Sequence, residues 1–298
     1  MAKKLTSPES KFNFDFIGHK MVGFGITFSL VLLTIYSLST KGLNFGIDFT
    51  GGIVIEARFE SDVDMQKLRH TLDKEEFGEV TLQAFADPRE VMISVQATDD
   101  DSQQKKVDAI KTKLNSEYSK IEYRKVDYVG PQVGSELING SIIAIVLALV
   151  AMLVYLWIRF EWQYGVGGIL ALIHDTILTI GFYSVTQIEF NLTSIAAILT
   201  IVGYSINDSV VIYDRIRENF RKYKQMDLSG IINLSVNQTL IRTILTGGTV
   251  LLSALALAVV GSDVIYGFAV AMIFGVLIGT HSSIYISATG LIYFRLKR

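Results

Sequence analysis

Cysteine is absent from the 298 residues, proline occurs 3 times, and charged residues make up only 19% of the chain. The missing cysteine excludes disulfides, thiolate catalysis, iron–sulfur clusters and cysteine-ligated zinc. Scarce proline, with glycine at 24, excludes a low-complexity or disordered chain. Soluble globular proteins carry about 25% charged residues. The deficit here, with half the residues hydrophobic and a mean hydropathy of +0.40, argues against an ordinary cytosolic enzyme. The net charge of −2 is small, so the information lies in how the charges are distributed.

Long apolar runs are what the chain has instead. A spanning helix needs about 20 predominantly apolar residues. Six stretches qualify: Met21–Thr40, Gly140–Ile158, Gly165–Gln187, Phe190–Tyr213, Leu228–Ser262 and Val264–Phe294. Their only charged residues are Asp175, Asp208 and Arg242, joined by His174 and His281. The first run is too long for a signal peptide, and no small-x-small cleavage pattern follows it, so it is expected to remain as the first transmembrane helix.

Lys and Arg in short loops set the orientation of such a chain. The N-terminal tail (1–20), Arg159, the loop 214–227 and the C-terminus together hold 13 Lys and Arg, against none in the two short loops on the other side. Both termini are therefore expected in the cytoplasm, with residues 41–136 outside and a five-helix membrane domain over 137–298.

The outer segment reads as a small folded domain. Ile53, Ile55, Ala57 and Phe59 alternate with Val54, Glu56, Arg58 and Glu60, Val91, Ile93 and Val95 alternate again, and Leu68 and Leu72, and then Val107, Ile110 and Leu114, recur at helical spacing. Val80, Leu82 and Ala84 supply another strand, and a last one over Ile121–Tyr128 slips phase near Lys125, the sign of a bulge. The order β-α-β-β-α-β predicts a ferredoxin-like α+β fold. The whole is thus expected to be a polytopic α-helical membrane protein with six transmembrane helices and one such domain between the first two.

Short glycine-containing stretches flank that domain. Gly46-Ile47-Asp48-Phe49-Thr50-Gly51-Gly52 follows the first span, and Gly130-Pro131-Gln132-Val133-Gly134-Ser135 precedes the second. The glycine pair permits positive φ or close backbone approach, and the stretch lacks the Lys-Ser/Thr ending of a phosphate loop. Asp48 is expected to hydrogen-bond local backbone, and Ser135 to cap a helix behind the restricted Pro131.

These stretches, with Val202-Gly203-Tyr204-Ser205-Ile206-Asn207-Asp208-Ser209, Asp214-Arg215-Ile216-Arg217-Glu218-Asn219 and Ser235-Val236-Asn237-Gln238-Thr239, resemble the SecF family, the smaller membrane subunits of the bacterial SecDF protein-export complex in the RND superfamily. The resemblance covers nearly the whole chain in order. It implies a bacterial inner-membrane protein that works with SecD, the SecYEG translocon, a small accessory membrane protein of the YajC type and the translocating preprotein. It also implies use of the proton motive force, with Asp208, Arg242 and Asn207 at the positions of the family's proton pathway. The junction residues Gly46, Asp48, Gly51, Gly52, Gly130, Pro131 and Gly134 gain weight from it, but no chemical role.

The bare residues leave alternatives open. A charged Asp or Arg at the bilayer centre costs roughly 2.5–3.5 kcal/mol, so such groups pair or face polar cavities. Asp208 is either a static helix-holding pair or a titrating relay between desolvation and a nearby cation. Arg242 either joins it or snorkels to the headgroups. His174, Asp175 and His281 are weaker relay candidates, and each is also readable as helix packing. Nothing in the sequence marks a metal site, a cofactor, a catalytic residue or an enzyme. The basic loop is what membrane insertion requires, not a nucleic-acid surface. An RND-type half-transporter for small molecules and a passive scaffold are the other readings. The first lacks a sizeable outer pocket, and the second leaves Asp208 without a purpose beyond an ion pair.

Overall fold

The computed structural model describes residues 12–72, 77, 80–85, 87–95, 103–261 and 263–294. Most of the N-terminal tail and the basic residues Arg295, Lys297 and Arg298 lie outside that set. Six helices are long and apolar enough to span a membrane: α1 (Lys20–Thr40), α5 (Pro131–Arg159), α6 (Trp162–Thr186), α7 (Leu192–Lys222), α8 (Leu228–Val260) and α9 (Asp263–Ser282). The last runs on into a π-helical turn, Ser283–Ala288.

Helices α6, α7 and α9 form the centre of the bundle. More than half of each is buried, whereas α1, α5 and α8 leave most of their surface uncovered. Close approach of α9 to α7 depends on Gly275 and Gly279, where an added Cβ would come within 2.3 Å of Ile201 and 3.2 Å of Ser205. On its other side, α6 carries the N-terminal helix α1.

The outer domain is ferredoxin-like. It is built from α2 (Ile47–Thr50), β1 (Gly52–Phe59), α3 (Met65–Thr71), β2 (Val80–Ala84), β3 (Glu90–Val95), α4 (Gln103–Glu117) and β4 (Ile121–Val129). The strands form one antiparallel sheet in the order β2-β3-β1-β4. The alternating residues Ile53, Ile55, Ala57 and Phe59 of β1 and Val91, Ile93 and Val95 of β3 are buried under Leu68, Leu72, Val107, Ile110 and Leu114. The expected bulge is present: Glu56 pairs with Lys125 and Ala57 with Tyr123, so Arg124 is the extra residue.

One boundary differs from the sequence reading. Helix α5 begins at Pro131, six residues before the expected start of the membrane domain at 137, with Gly130 rather than Ser135 as its N-cap. Proline suits a first helical position because its missing N–H would have no partner there. Ser135 instead donates to the Gln132 carbonyl within the helix.

Candidate functional site

Two sets of polar groups stand out against the apolar background: a junction where the outer domain meets the bundle, and ionisable groups inside it.

At the junction, the segment after α1 lies against the α6–α7 loop. Phe190 N–H donates to the Asn44 carbonyl at 2.7 Å, Gly46 N–H donates to the Phe190 carbonyl at 2.9 Å, and Phe45 and Phe190 form a parallel bridge. Phe45, Phe49 and Phe190 pack ring on ring. Asp48 accepts from a backbone amide as expected, yet not from a local one: its Oδ2 receives the Leu192 N–H at 3.0 Å, 144 residues away. Leu192 is the first residue of α7, whose end Asn191 also caps. An acidic side chain at that end complements the helix dipole. Gly51 (φ 72°) and Gly52 (φ 151°) take left-handed conformations that L side chains rarely adopt. Gly134 on α5 packs against α2 so closely that a Cβ would sit 2.6 Å from the Phe49 carbonyl oxygen. Glu189, in the same loop, touches Gly46 through its carboxylate. Burial pushes the Glu189 carboxyl up, and the neighbouring Asp48 charge adds to that shift.

Inside the bundle, Asp208 is 2% exposed, and its Oδ2 finds no hydrogen-bond partner among the described residues. Thr243 and Arg242 of α8 both act on it. Among the described ion pairs none joins Asp208 to Arg242. Arg242 is exposed on the uncovered side of α8, and Asn207 is likewise exposed on α7.

Ser205 and Ser209, adjacent to Asp208 in sequence, do not serve it. The row Ser205, Ser209, Tyr213 recurs every four residues and faces α6 and the end of α9. Ser205 donates to Asp175 Oδ2 at 2.5 Å, Ser282 of α9 donates to the same oxygen at 2.8 Å, and His174 Nδ1 pairs with Asp175 Oδ1 at 2.9 Å. Asp175 is fully buried and holds three helices together. Ser209 pairs with Ser283, and Ser287 donates to Tyr213 Oη. His281 pairs with Thr27 of α1 at 3.1 Å and lies on Tyr285. The second nitrogen of His174 is buried with no partner among the described residues.

The partners of Asp175 come from α7 and α9, and no spacing in the sequence encodes them. The Arg215 and Asn219 positions are structural. Arg215 Nε and Asn219 Nδ2 both donate to Gln238 Oε1, and Asn219 also donates to Ser235. Asp214 forms an ion pair with Arg159. The bonds to Gln238 and Ser235 lock the first part of α8 to the end of α7, and the ion pair ties α7 to the end of α5.

Comparison with known proteins places this arrangement. Residues 109–297 match the family "Protein export membrane protein SecD/SecF, C-terminal", and residues 36–63 match the "SecD/SecF GG Motif". The protein translocase subunit SecF of Rickettsia bellii is 47% identical over 97% of this chain and 96% of its own length. That of Rickettsia prowazekii is 48% identical over 97% and 93%. The crystal structure of SecDF from Thermus thermophilus, a translocon-associated membrane protein, superposes with a TM-score of 0.84 at 36% identity, covering 95% of this chain. A SecDF structure in a super-membrane-facing form gives 0.72 at 34% identity over 98% of this chain. This chain spans about two fifths of those SecDF chains (39% and 40%).

Proposed function

This chain belongs to the SecD/SecF family of protein-export membrane proteins, and from that premise we propose that it draws on the proton motive force to promote preprotein translocation and release. It is a multi-span subunit of the Sec protein-export machinery. The uncovered faces of α5 and α8 carry large apolar side chains, among them Ile142, Leu147, Leu245 and Leu252. They supply the surface for SecD, the other part of the longer SecDF chains. SecYEG, a small YajC-like membrane protein and the preprotein complete the set of partners. The membrane is the bacterial inner membrane, with both termini and the 214–227 loop cytoplasmic and the ferredoxin-like domain of 41–136 on the outer side.

The observation that carries the proton reading is Asp208: a buried carboxylate in a spanning helix, with one oxygen unpartnered among the described residues and Arg242 of the neighbouring helix α8 within electrostatic reach. Protonation removes its charge and its attraction to Arg242, which changes how α7 sits on α8. Each elementary charge moved across 100 mV supplies about 2.3 kcal/mol, enough to bias a two-state element. The outer end of α7 is tied to Asp48, and the Phe190 strand to Gly46. A shift of α7 therefore pulls on the outer domain.

Asp208→Asn keeps the volume and the hydrogen bonding without titrating. Export into inverted membrane vesicles, with and without an ionophore and normalised to assembled complex, is expected to lose its ionophore-sensitive component. A variant that keeps that component overturns the proton reading.

A further inference from the structure

We propose that Asp175 is a second proton-carrying carboxylate of this chain, connected toward the end of the bundle that bears the basic loop by the hydroxyls of Ser205, Ser283, Ser209, Ser287 and Tyr213. The inference rests on the proton-coupled reading and adds to it a track separate from Asp208.

Four observations carry it. Asp175 is a carboxylate with no exposed surface, set among α6, α7 and α9, where asparagine would supply hydrogen bonds without the expense of a buried acid. His174, also buried at 7% exposure, gives one nitrogen to Asp175 and leaves the other without a partner among the described residues. A histidine present only for packing satisfies both nitrogens.

The third observation is the π-helical turn that follows Ser282. Such turns re-aim side chains and cluster at functional sites. Here the helix end presents Ser282 to Asp175, Ser283 to Ser209 and to the Ser205 carbonyl, and Ser287 to Tyr213. The fourth is the matching row on α7. Ser205, Ser209 and Tyr213 repeat every four residues, so they descend one face in steps of about 6 Å. The Asp208 side chain lies off this row, against α8.

The path runs in bonded pieces. Ser205 touches the acid, Ser283 bonds the Ser209 hydroxyl and donates to the Ser205 backbone carbonyl, which has no proton to pass on, and Ser287 touches Tyr213. Two steps remain, from the Ser205 hydroxyl to the Ser283 hydroxyl and the one helical turn of about 6 Å from Ser209 to Tyr213, and hydroxyl rotation with one water molecule closes each. Each hydroxyl accepts one proton from the Asp175 side and passes its own toward the basic-loop end, where solvent water takes it, so no hydroxyl is left ionised and the carboxyl gives up one proton. The ionisable groups facing Asp175 are His174 on its own helix and His281 on α9, which is within electrostatic reach of both. From α1 comes only the Thr27 hydroxyl, bonded to His281, and from α7 the row above.

The test is proton entry into proteoliposomes that hold the complete complex with SecD and an internal pH dye, normalised to assembled complex. Asp175→Asn, Tyr213→Phe and the pair Ser209→Ala, Ser283→Ala are compared with Asp208→Asn. Tyr213→Phe keeps the ring and removes only the hydroxyl. The expected result is a flux lowered about tenfold or more in Asp175→Asn and severalfold in Tyr213→Phe, with the Tyr213→Phe complex still assembled and its melting temperature lowered only slightly by loss of the Ser287 hydrogen bond. Wild-type flux in Tyr213→Phe and in the serine pair overturns the path, even where Asp175→Asn fails to assemble. Wild-type flux in Asp175→Asn with loss in Asp208→Asn overturns the inference and leaves the proton reading standing. Wild-type flux in Asp208→Asn as well overturns both.

Discussion

The Asp48 carboxylate accepts the amide proton of Leu192 at 3.0 Å, so a side chain from the start of the outer domain caps a transmembrane helix 144 residues further along. That helix is α7, which also carries Asp208 and the hydroxyl row below Asp175. The same bond thus joins the outer domain to the helix on which the proposed proton-carrying groups lie.

Gly134 stands on the other side of this junction. Its Cα packs against the Phe49 carbonyl, a backbone group that cannot swing away. Gly134→Ala is expected to destabilise the protein by about 1–3 kcal/mol through overpacking. The measure is the midpoint of thermal unfolding of the purified complex. An unchanged midpoint means that α2 yields freely.

Glu189 supplies a pH dependence. Its carboxyl is raised above its usual value of 4.5 by burial and by the charge of Asp48. A carboxyl raised in the folded state contributes stability that is fully present below 4.5 and is lost as the pH rises through the folded value. The junction is expected to loosen as pH climbs from that range toward neutrality. Hydrogen exchange at the Gly46 and Leu192 amides reads this directly. Glu189→Gln, uncharged at every pH, is expected to exchange slowly and without pH sensitivity beyond the intrinsic rate. Equal sensitivity in both proteins removes Glu189 as the cause.

The Arg215, Asn219, Ser235 and Gln238 cluster is expected to act on stability alone. Asn219 is 1% exposed and bonded to both Ser235 and Gln238. Asn219→Ala removes both bonds, while Gln238 keeps Arg215 and Ser235 keeps the Ile231 carbonyl, and is expected to cost about 1 kcal/mol. The ionophore-sensitive share of export per assembled complex is expected to stay at its wild-type value. A fall in that share gives the cluster a part in coupling.

Topology is open to labelling, since the chain contains no native cysteine. Lys111→Cys in the outer domain is expected to react with a membrane-impermeant thiol reagent applied to intact spheroplasts. Lys222→Cys at the end of α7 is expected to react only after the membrane is opened. The reverse pattern inverts the orientation and with it the direction of the proton path.

The amino-acid sequence by itself determined the six spans, the ferredoxin-like order of the outer domain and the bulge near Lys125. Each of these is a local property: a run long enough to cross a bilayer, a period of two or of 3.6, a slip in phase. It also marked the buried charges, because any charge in an apolar run is visible at once. It could not say what those charges touch. Ser205 and Ser209 sit beside Asp208 in the chain, yet a helix turns about 100° per residue, and the packing of α9 at Gly275 and Gly279 directs the serines to Asp175 and Ser283 instead. Asp48 pairs across 144 residues, and Asp175 draws its donors from Ser205 and Ser282, 30 and 107 residues away. The choice of partner for a polar group in a bundle is made by which helices meet and at what rotation, and only the tertiary structure holds that information.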